Sequence, residues 1–375
     1  MSSTSIPDQT EEMRQWLTVM LYEAFNKAKK EKLNTVNEQR FEEDRELELI
    51  KLVDDVIGRT YKPSRSVAFI THKPVPREIF AAPFRDRVIH HFLIMMNGDF
   101  WDNRLSSRSF SCRDGKGTLY GIRMLEKDIR NVTKQWSEDA WVMKIDLQGY
   151  FMSLPRKYLF ERVCWGLDRQ FPQKGPVYDI CKYLWEQIIF DDPTVGVRIK
   201  GSLSDWDILP PSKSMFNSKP GHGIVIGNLT SQWVSNMALD PLDRFVKFDL
   251  GINHYGRYVD DAYFVAATKQ ELLDIRPKVE EFIANLGLVV HPKKFFLQPA
   301  KYGVPFLGVV VYPGYIVLGK RFRANMKQVS QDIRIDGLSV KNTEKIKSYK
   351  GLTMHYKHQQ VLNDIFGKGV VKKVL

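Results

Sequence analysis

Cysteine is scarce in this sequence: Cys112, Cys164 and Cys181 are the only three in 375 residues, far apart and without ligand spacing. That excludes a disulfide scaffold and a zinc finger or ribbon, and leaves the thiols as core or loop residues. Long apolar runs are missing too. None approaches the ~20 residues that span a bilayer, and the chain opens on polar Ser2-Ser3-Thr4-Ser5 rather than on a basic stretch followed by an apolar one. A cytoplasmic location with no membrane partner is therefore the expectation. No repeat recurs at solenoid periods and there is no low-complexity linker. A hydrophobic content of 43% over this length excludes a disordered tail and suffices for a core in two or three subdomains.

What the chain has in excess is positive charge, +12 net. From Lys320 to Leu375, 13 Lys and Arg stand against 4 Asp and Glu, so most of that excess sits in the last segment. Such a balance favours a phosphate-binding surface. The alternation of Lys345, Lys347 and Lys350 with Ile346 and Tyr349 fits a solvated helix face equally.

The carboxylates are distributed unevenly. Tyr258-Val259-Asp260-Asp261 sets two adjacent acids in the apolar, aromatic run Arg257 to Val265, and flanks such as Tyr258-Val259 and Tyr263-Phe264-Val265 predict a tight hairpin with both acids at its tip. Hard oxygen ligands of this kind suit magnesium. Two other doublets read as bland. Asp54-Asp55 falls in a helical pattern with Leu49, Ile50, Val53, Val56 and Ile57 as one face, and Asp191-Asp192-Pro193 reads as a turn. Val142 to Leu147 predicts a short buried strand ending at Asp146, with Gln148-Gly149-Tyr150-Phe151 as the turn out of it. Side by side, Asp146 and Asp260 would give the carboxylate cluster of a two-metal site, which points to nucleotidyl transfer. The competing reading makes Asp146 the cap of a helix beginning near Leu154-Pro155.

A third element follows the pattern. Gly223-Ile224-Val225-Ile226-Gly227 is a glycine-framed turn, and Asn228 and Thr230 are candidate N-caps for a helix carrying Trp233, Val234, Met237 and Ala238. The order of strand with Asp146, glycine turn plus helix, then Tyr-Val-Asp-Asp hairpin resembles motifs A, B and C in the palm of reverse transcriptases. The likeness extends to both sides. Pro76-Arg77 and Phe84-Arg85-Asp86-Arg87 resemble the fingers, Ser111 to Thr118 the segment before motif A, His291-Pro292-Lys293-Lys294 motif D, and Phe306-Leu307-Gly308 motif E, the primer grip. It covers roughly Tyr61 to the C-terminus.

Within that family, Ile226-Gly227-Asn228-Leu229-Thr230-Ser231-Gln232 is similar to the reverse transcriptases of diversity-generating retroelements, where retroviral enzymes carry a Gln-Gly pair. Leu209 to Phe216 and Ser348 to His355 also look like this group. Ile224-Val225 departs from it by replacing the usual Leu-Pro, and phage-defence reverse transcriptases share much of the vocabulary. A non-catalytic RNA-binding scaffold would keep the basic surface and tend to lose the acids, all three of which are present.

The resemblance implies an α+β right-hand polymerase with an antiparallel ferredoxin-like palm sheet and a helical thumb. It places a helical extension at residues 1–37, fingers at 38–135, a palm at 136–312 with an insertion at about 157–222, and a basic thumb at 313–375. It implies that Asp146, Asp260 and Asp261 hold two magnesium ions, with the backbone carbonyl of Ile145 or Leu147 as an extra ligand. By the same carry-over Arg77 bonds the incoming triphosphate with Lys73 assisting, and Phe151 is the steric gate against a ribose 2′-hydroxyl. Ile226, Gly227, Asn228 and Gln232 contact nucleotide or template, and Lys293 or Lys294 protonates the leaving pyrophosphate. Implied partners are deoxynucleoside triphosphates, a structured template RNA with its nascent cDNA, and a small basic helical accessory protein. The implied function is copying a template-repeat RNA into cDNA with errors at template adenines. A phage-defence enzyme is the alternative.

Overall fold

The computed structural model describes residues 10–30, 36–72, 75–356 and 359–374. The chain divides into two compact units, one of segments Met1–Cys112, Leu147–Asp249 and Val279–Pro292, the other of Arg113–Asp146, Leu250–Lys278 and Lys293–Leu375.

The first unit is mostly helical. Met13, Leu17, Leu21, Ala24, Phe25 and Ala28 recur at three- and four-residue spacing along Thr10–Lys30, so one stripe is buried, and it packs on Phe84–Arg104. Leu49, Leu52, Val53 and Val56 form the buried stripe of Arg45–Ile57. Ile50, expected on that face, is 52% exposed, because Leu52 completes the 3.6-residue period and Ile50 falls outside it. Asp54 and Asp55 lie on this helix as ordinary ion-pair partners of Arg14 and Arg85. Arg156–Gln170 pairs with Pro176–Phe190, and Leu229–Arg244 packs against both Phe84–Arg104 and Arg156–Gln170. A small sheet runs in the order Arg77–Ala81, Val67–Thr71, Arg198–Ile199, the first two antiparallel with Thr71 opposite Arg77.

The second unit is built on a four-stranded antiparallel sheet in the order Tyr255–Tyr258, Asp261–Ala266, Trp141–Ile145, Phe296–Pro299. The first and last strands in sequence are neighbours at one edge, which is the ferredoxin-like order. Val142, Met143, Ile145 and Ala262 to Val265 are all buried, so the two central strands read as continuous apolar runs rather than as alternating ones. Helix Thr118–Val132 lies against the sheet, burying Ile122, Leu125 and Ile129. A three-stranded meander, Val304–Phe306, Val309–Tyr312 and Tyr315–Leu318, follows, and then the helices Lys320–Asp336, Val340–Met354, Gln359–Phe366 and Lys368–Val374. No helix among the described residues is long and apolar enough to cross a membrane.

Candidate active site

The carboxylates sit where the central strands of the sheet end. Trp141–Ile145 delivers Asp146 immediately past its last residue, and Ile145 pairs with Ala262 of the neighbouring strand. That strand begins at Asp261, which pairs with Tyr258 across a two-residue turn of Val259 and Asp260. The two acids therefore do not share the tip of the hairpin: Asp260 is in the turn and Asp261 on the strand. Asp146 caps no helix, since Gly149 and Pro155 stand at the N-terminal ends of the next two. Val259 is held at φ 57°, a left-handed conformation that is rare for a β-branched residue. The Arg257 guanidinium, itself buried, donates to the Val259 carbonyl at 2.7 Å and fixes this turn.

Electrostatics reflect the crowding. Burial pushes the Asp260 carboxyl up to about 7, and the nearby Asp146 and Asp261 charges add to the rise. Burial also raises Asp261, with Lys144 pulling it back down. The Lys144 ammonium stands 3.1 Å from Asp261, and Lys294 pairs with Asp146. Lys144 further donates to the Pro305 carbonyl at 2.9 Å and lies 5.4 Å over the Phe306 ring, while Tyr263 meets the same ring edge-on at 5.3 Å. The turn Leu307-Gly308 thus lies in a hairpin tethered to the carboxylate strand, with both residues at positive φ, 47° and 89°.

Lys144 was not among the expected residues. Its signal was present: a lone lysine in an apolar strand two residues before Asp146, hence on the same face by the period of two. Lys293 lies in an exposed turn beside Lys294. Leu147 bridges Val290, and Gln148 donates to the Val289 carbonyl at 2.8 Å.

The expected nucleotide-binding residues lie in the other unit and form their own arrangement. Phe151 and Ile226 pack against one buried cluster of Ala68, Phe80, Met152, Met215 and Val225. The Ile226 carbonyl accepts from Phe80 N–H at 2.9 Å, and the Phe151 carbonyl from Ile224 N–H at 2.8 Å. Gly227 is required: its φ is 132°, and a Cβ there would stand 2.5 Å from the Phe80 carbonyl oxygen. Arg77 opens its strand, exposed, next to buried Glu78, which accepts from Trp206 Nε1 at 2.6 Å, Ser214 Oγ at 2.8 Å and Met215 N–H at 2.5 Å. Gln232 is exposed on helix Leu229–Arg244. Asn228 occupies the N-cap position without capping, its buried Oδ1 having no partner. Thr230 is inside the helix rather than at its cap, and its hydroxyl meets His90 Nδ1 at 2.9 Å. Lys73 lies outside the described residues.

No group of three His, Cys, Asp or Glu side chains among the described residues already converges as a metal cage. Asp146 and Asp260 are the crowded pair, while Asp261 is turned to Lys144. Their oxygen-only donors, and the burial that with the neighbouring charges lifts the Asp260 carboxyl, fit a hard divalent cation.

The chain thus carries an antiparallel ferredoxin-like sheet with paired aspartates at the ends of adjacent strands. The family model described as reverse transcriptase (RNA-dependent DNA polymerase) matches residues 76–311, well over half of the chain, and the chain belongs to that family. Members of the family generally use divalent metal ions. No curated protein matches the sequence. Similar solved structures include apo telomerase from Candida tropicalis, at 12% identity and TM-score 0.47, covering 83% of this chain and 62% of that one. A form of it truncated from its C-terminal domain gives 12% and 0.46, covering 72% and 59%. Telomerase from Candida albicans in complex with a TWJ fragment of telomeric RNA gives 10% and 0.48, covering 83% and 61%. The chain spans about 60% of the length of these structures.

Proposed function

We propose that this chain is an RNA-directed DNA polymerase of the diversity-generating type, making cDNA from a structured template RNA with errors at template adenines. The observation that carries the polymerase reading is the placement of Asp146 and Asp260 at adjacent strand ends, where burial, with the Asp146 charge adding to it, raises the Asp260 carboxyl. Asp146 and Asp260 would hold two magnesium ions, with Asp261 and the carbonyl of Ile145 or Leu147 completing the donors. When bound, the ions supply activation of the primer 3′-hydroxyl and stabilisation of charge on the leaving pyrophosphate. Lys144 orients Asp261 and ties it to the motif E hairpin at Phe306, Leu307 and Gly308. Lys294, paired with Asp146, or its neighbour Lys293, is the proton donor to pyrophosphate.

In the other unit, Arg77 is assigned to the triphosphate, Phe151 to exclusion of the 2′-hydroxyl, and Ile226, Gly227 and Gln232 to the nascent pair. The helices from Lys320 onward form the basic thumb that takes the RNA–DNA duplex, and a small basic helical accessory protein joins the assembly. The adenine-error reading is supported by Ile226. Its carbonyl is committed to Phe80 and its side chain to an apolar cluster, so it offers the nascent pair no side-chain hydrogen bond. A glutamine there could bond the pair and penalise mispairs by up to about a hundredfold, since a lost bond leaves polar groups unpaired. Sequencing cDNA made by wild type and Ile226→Gln tests this. Errors concentrated at template adenine in wild type and reduced in the variant support the reading. A wild type without adenine bias favours the phage-defence enzyme.

A further inference from the structure

Three arginines from two helices crowd around one tryptophan in the helical unit. Trp165 lies on Arg156–Gln170; the Arg169 guanidinium carbon stands 4.0 Å from its ring centroid, and those of Arg162 and Arg104 stand 4.6 Å away. Arg162 and Arg169 lie three residues before and four after Trp165, so one helix face presents all three. Arg104 comes from the last turn of Phe84–Arg104, and Arg244, ending Leu229–Arg244, donates to the Arg104 carbonyl at 2.8 Å. Gly166 permits the close packing beneath: a Cβ there would meet the Trp101 ring at 2.5 Å. Trp101 in turn lies 5.7 Å from Trp165, centroid to centroid.

Charge is left over in this group. One buried carboxylate serves it, Asp240, whose Oδ2 takes Arg162 at 3.3 Å and Arg244 at 3.0 Å. Arg104 and Arg169 are exposed and meet no carboxylate among the described residues. Asp168, next to Arg169 in sequence, is engaged by Tyr178 at 2.9 Å and Lys174 at 4.0 Å. Burial holds the Arg162 guanidinium below its ordinary range, and the neighbouring Arg244 and Arg104 charges act in the same direction. A guanidinium stacked on an indole keeps its edge donors free, and that planar fork matches a phosphate. Arginine–tryptophan platforms also accept unpaired bases.

We infer that Trp165 with Arg104, Arg162 and Arg169 forms a phosphodiester-binding platform for RNA, additional to the carboxylate site. An acidic protein is the less favoured partner, because the exposed Arg104 and Arg169 offer fork donors for phosphate and guanidinium planes on which unpaired bases stack. The inference rests on the reading of the chain as an RNA-copying enzyme, which extension of oligo(dT) on poly(rA) by the wild type tests separately.

The deciding experiment measures binding of a labelled RNA stem-loop with a single-stranded tail, by anisotropy across a KCl series. It compares full-length wild type with Arg104→Gln/Arg169→Gln and with a charge-matched control, Lys51→Gln/Lys134→Gln. The platform variant loses about tenfold or more in affinity at low salt, and its log affinity against log salt flattens by about 1.5, the contribution of two phosphates. The control keeps the wild-type slope. Equal losses in both variants would reduce the effect to bulk charge and overturn the inference. So would an unchanged slope in the platform variant, or displacement of the RNA from wild type, but not from the platform variant, by polyglutamate at equal charge.

Discussion

Val259 and His90 each hold a state that a free residue would not choose. Val259 occupies the left-handed region at φ 57°, at a cost of about 1–2 kcal/mol for a side chain with a branched Cβ. Glycine there removes the strain and loses part of the gain to unfolded-state entropy. Val259→Gly is therefore expected to stabilise the fold by about 1 kcal/mol while lowering polymerisation, because the turn that holds Asp260 loosens. Calorimetry beside a primer-extension rate checks both halves, and a destabilised variant would speak against strain. His90 is fully enclosed, and burial lowers its pKa to about 3, with the His91 and Arg87 charges adding to the shift. The unfolded imidazole titrates near 6.5, so the stability that depends on neutral His90 is present above that pH and is lost as pH falls from about 6.5 toward 3. By pH 5 the loss is about 2 kcal/mol. The gap in unfolding free energy between wild type and His90→Gln should shift against wild type by that amount between pH 7.5 and pH 5; a pH-independent gap would contradict it.

At the scale of elements, the palm sheet was legible where the sequence carried a sharp period or a sharp contrast. Asp146 follows directly on a largely buried strand, and the hairpin acids stand out against aromatic flanks, so the strand end at Asp146 and the hairpin could be placed from the chain alone, though Asp261 lies on the strand and not at the tip. Less legible was what depends on partners distant in sequence. Lys144 stood out as a lone lysine in an apolar strand, but its partners Asp261 and Pro305 did not, and Asn228 carried the right residue type for a cap that its side chain does not make. Asp128 gives the same lesson. It is wholly buried on helix Thr118–Val132, accepting from Tyr263 Oη at 2.8 Å and meeting His254 Nδ1 at 3.2 Å, which ties helix to sheet two residues beyond Asp261. Nothing local in the sequence marks it. Tyr263→Phe removes one donor from that buried carboxylate and is expected to cost about 1–2 kcal/mol in urea unfolding. A neutral change would mean that the anchor is not the hydroxyl.

For the whole molecule, a net charge of +12 and membership of the reverse transcriptase family accord with the proposed function, in which affinity is electrostatic and the chemistry rests on a few carboxylates. The account stands on Asp146 and Asp260 acting as one crowded pair. Asp260→Asn and Asp146→Asn are nearly isosteric, and each relieves like-charge repulsion, so each variant should fold at least as stably as wild type. The measurement that tests the claim most directly is single-turnover extension of a DNA primer on an RNA template with magnesium, run beside thermal unfolding. The expected result is loss of extension by about a thousandfold or more in either variant, equivalent to about 4 kcal/mol of barrier, with an undiminished unfolding temperature. Wild-type extension by a folded Asp260→Asn protein would contradict the assignment of the active site.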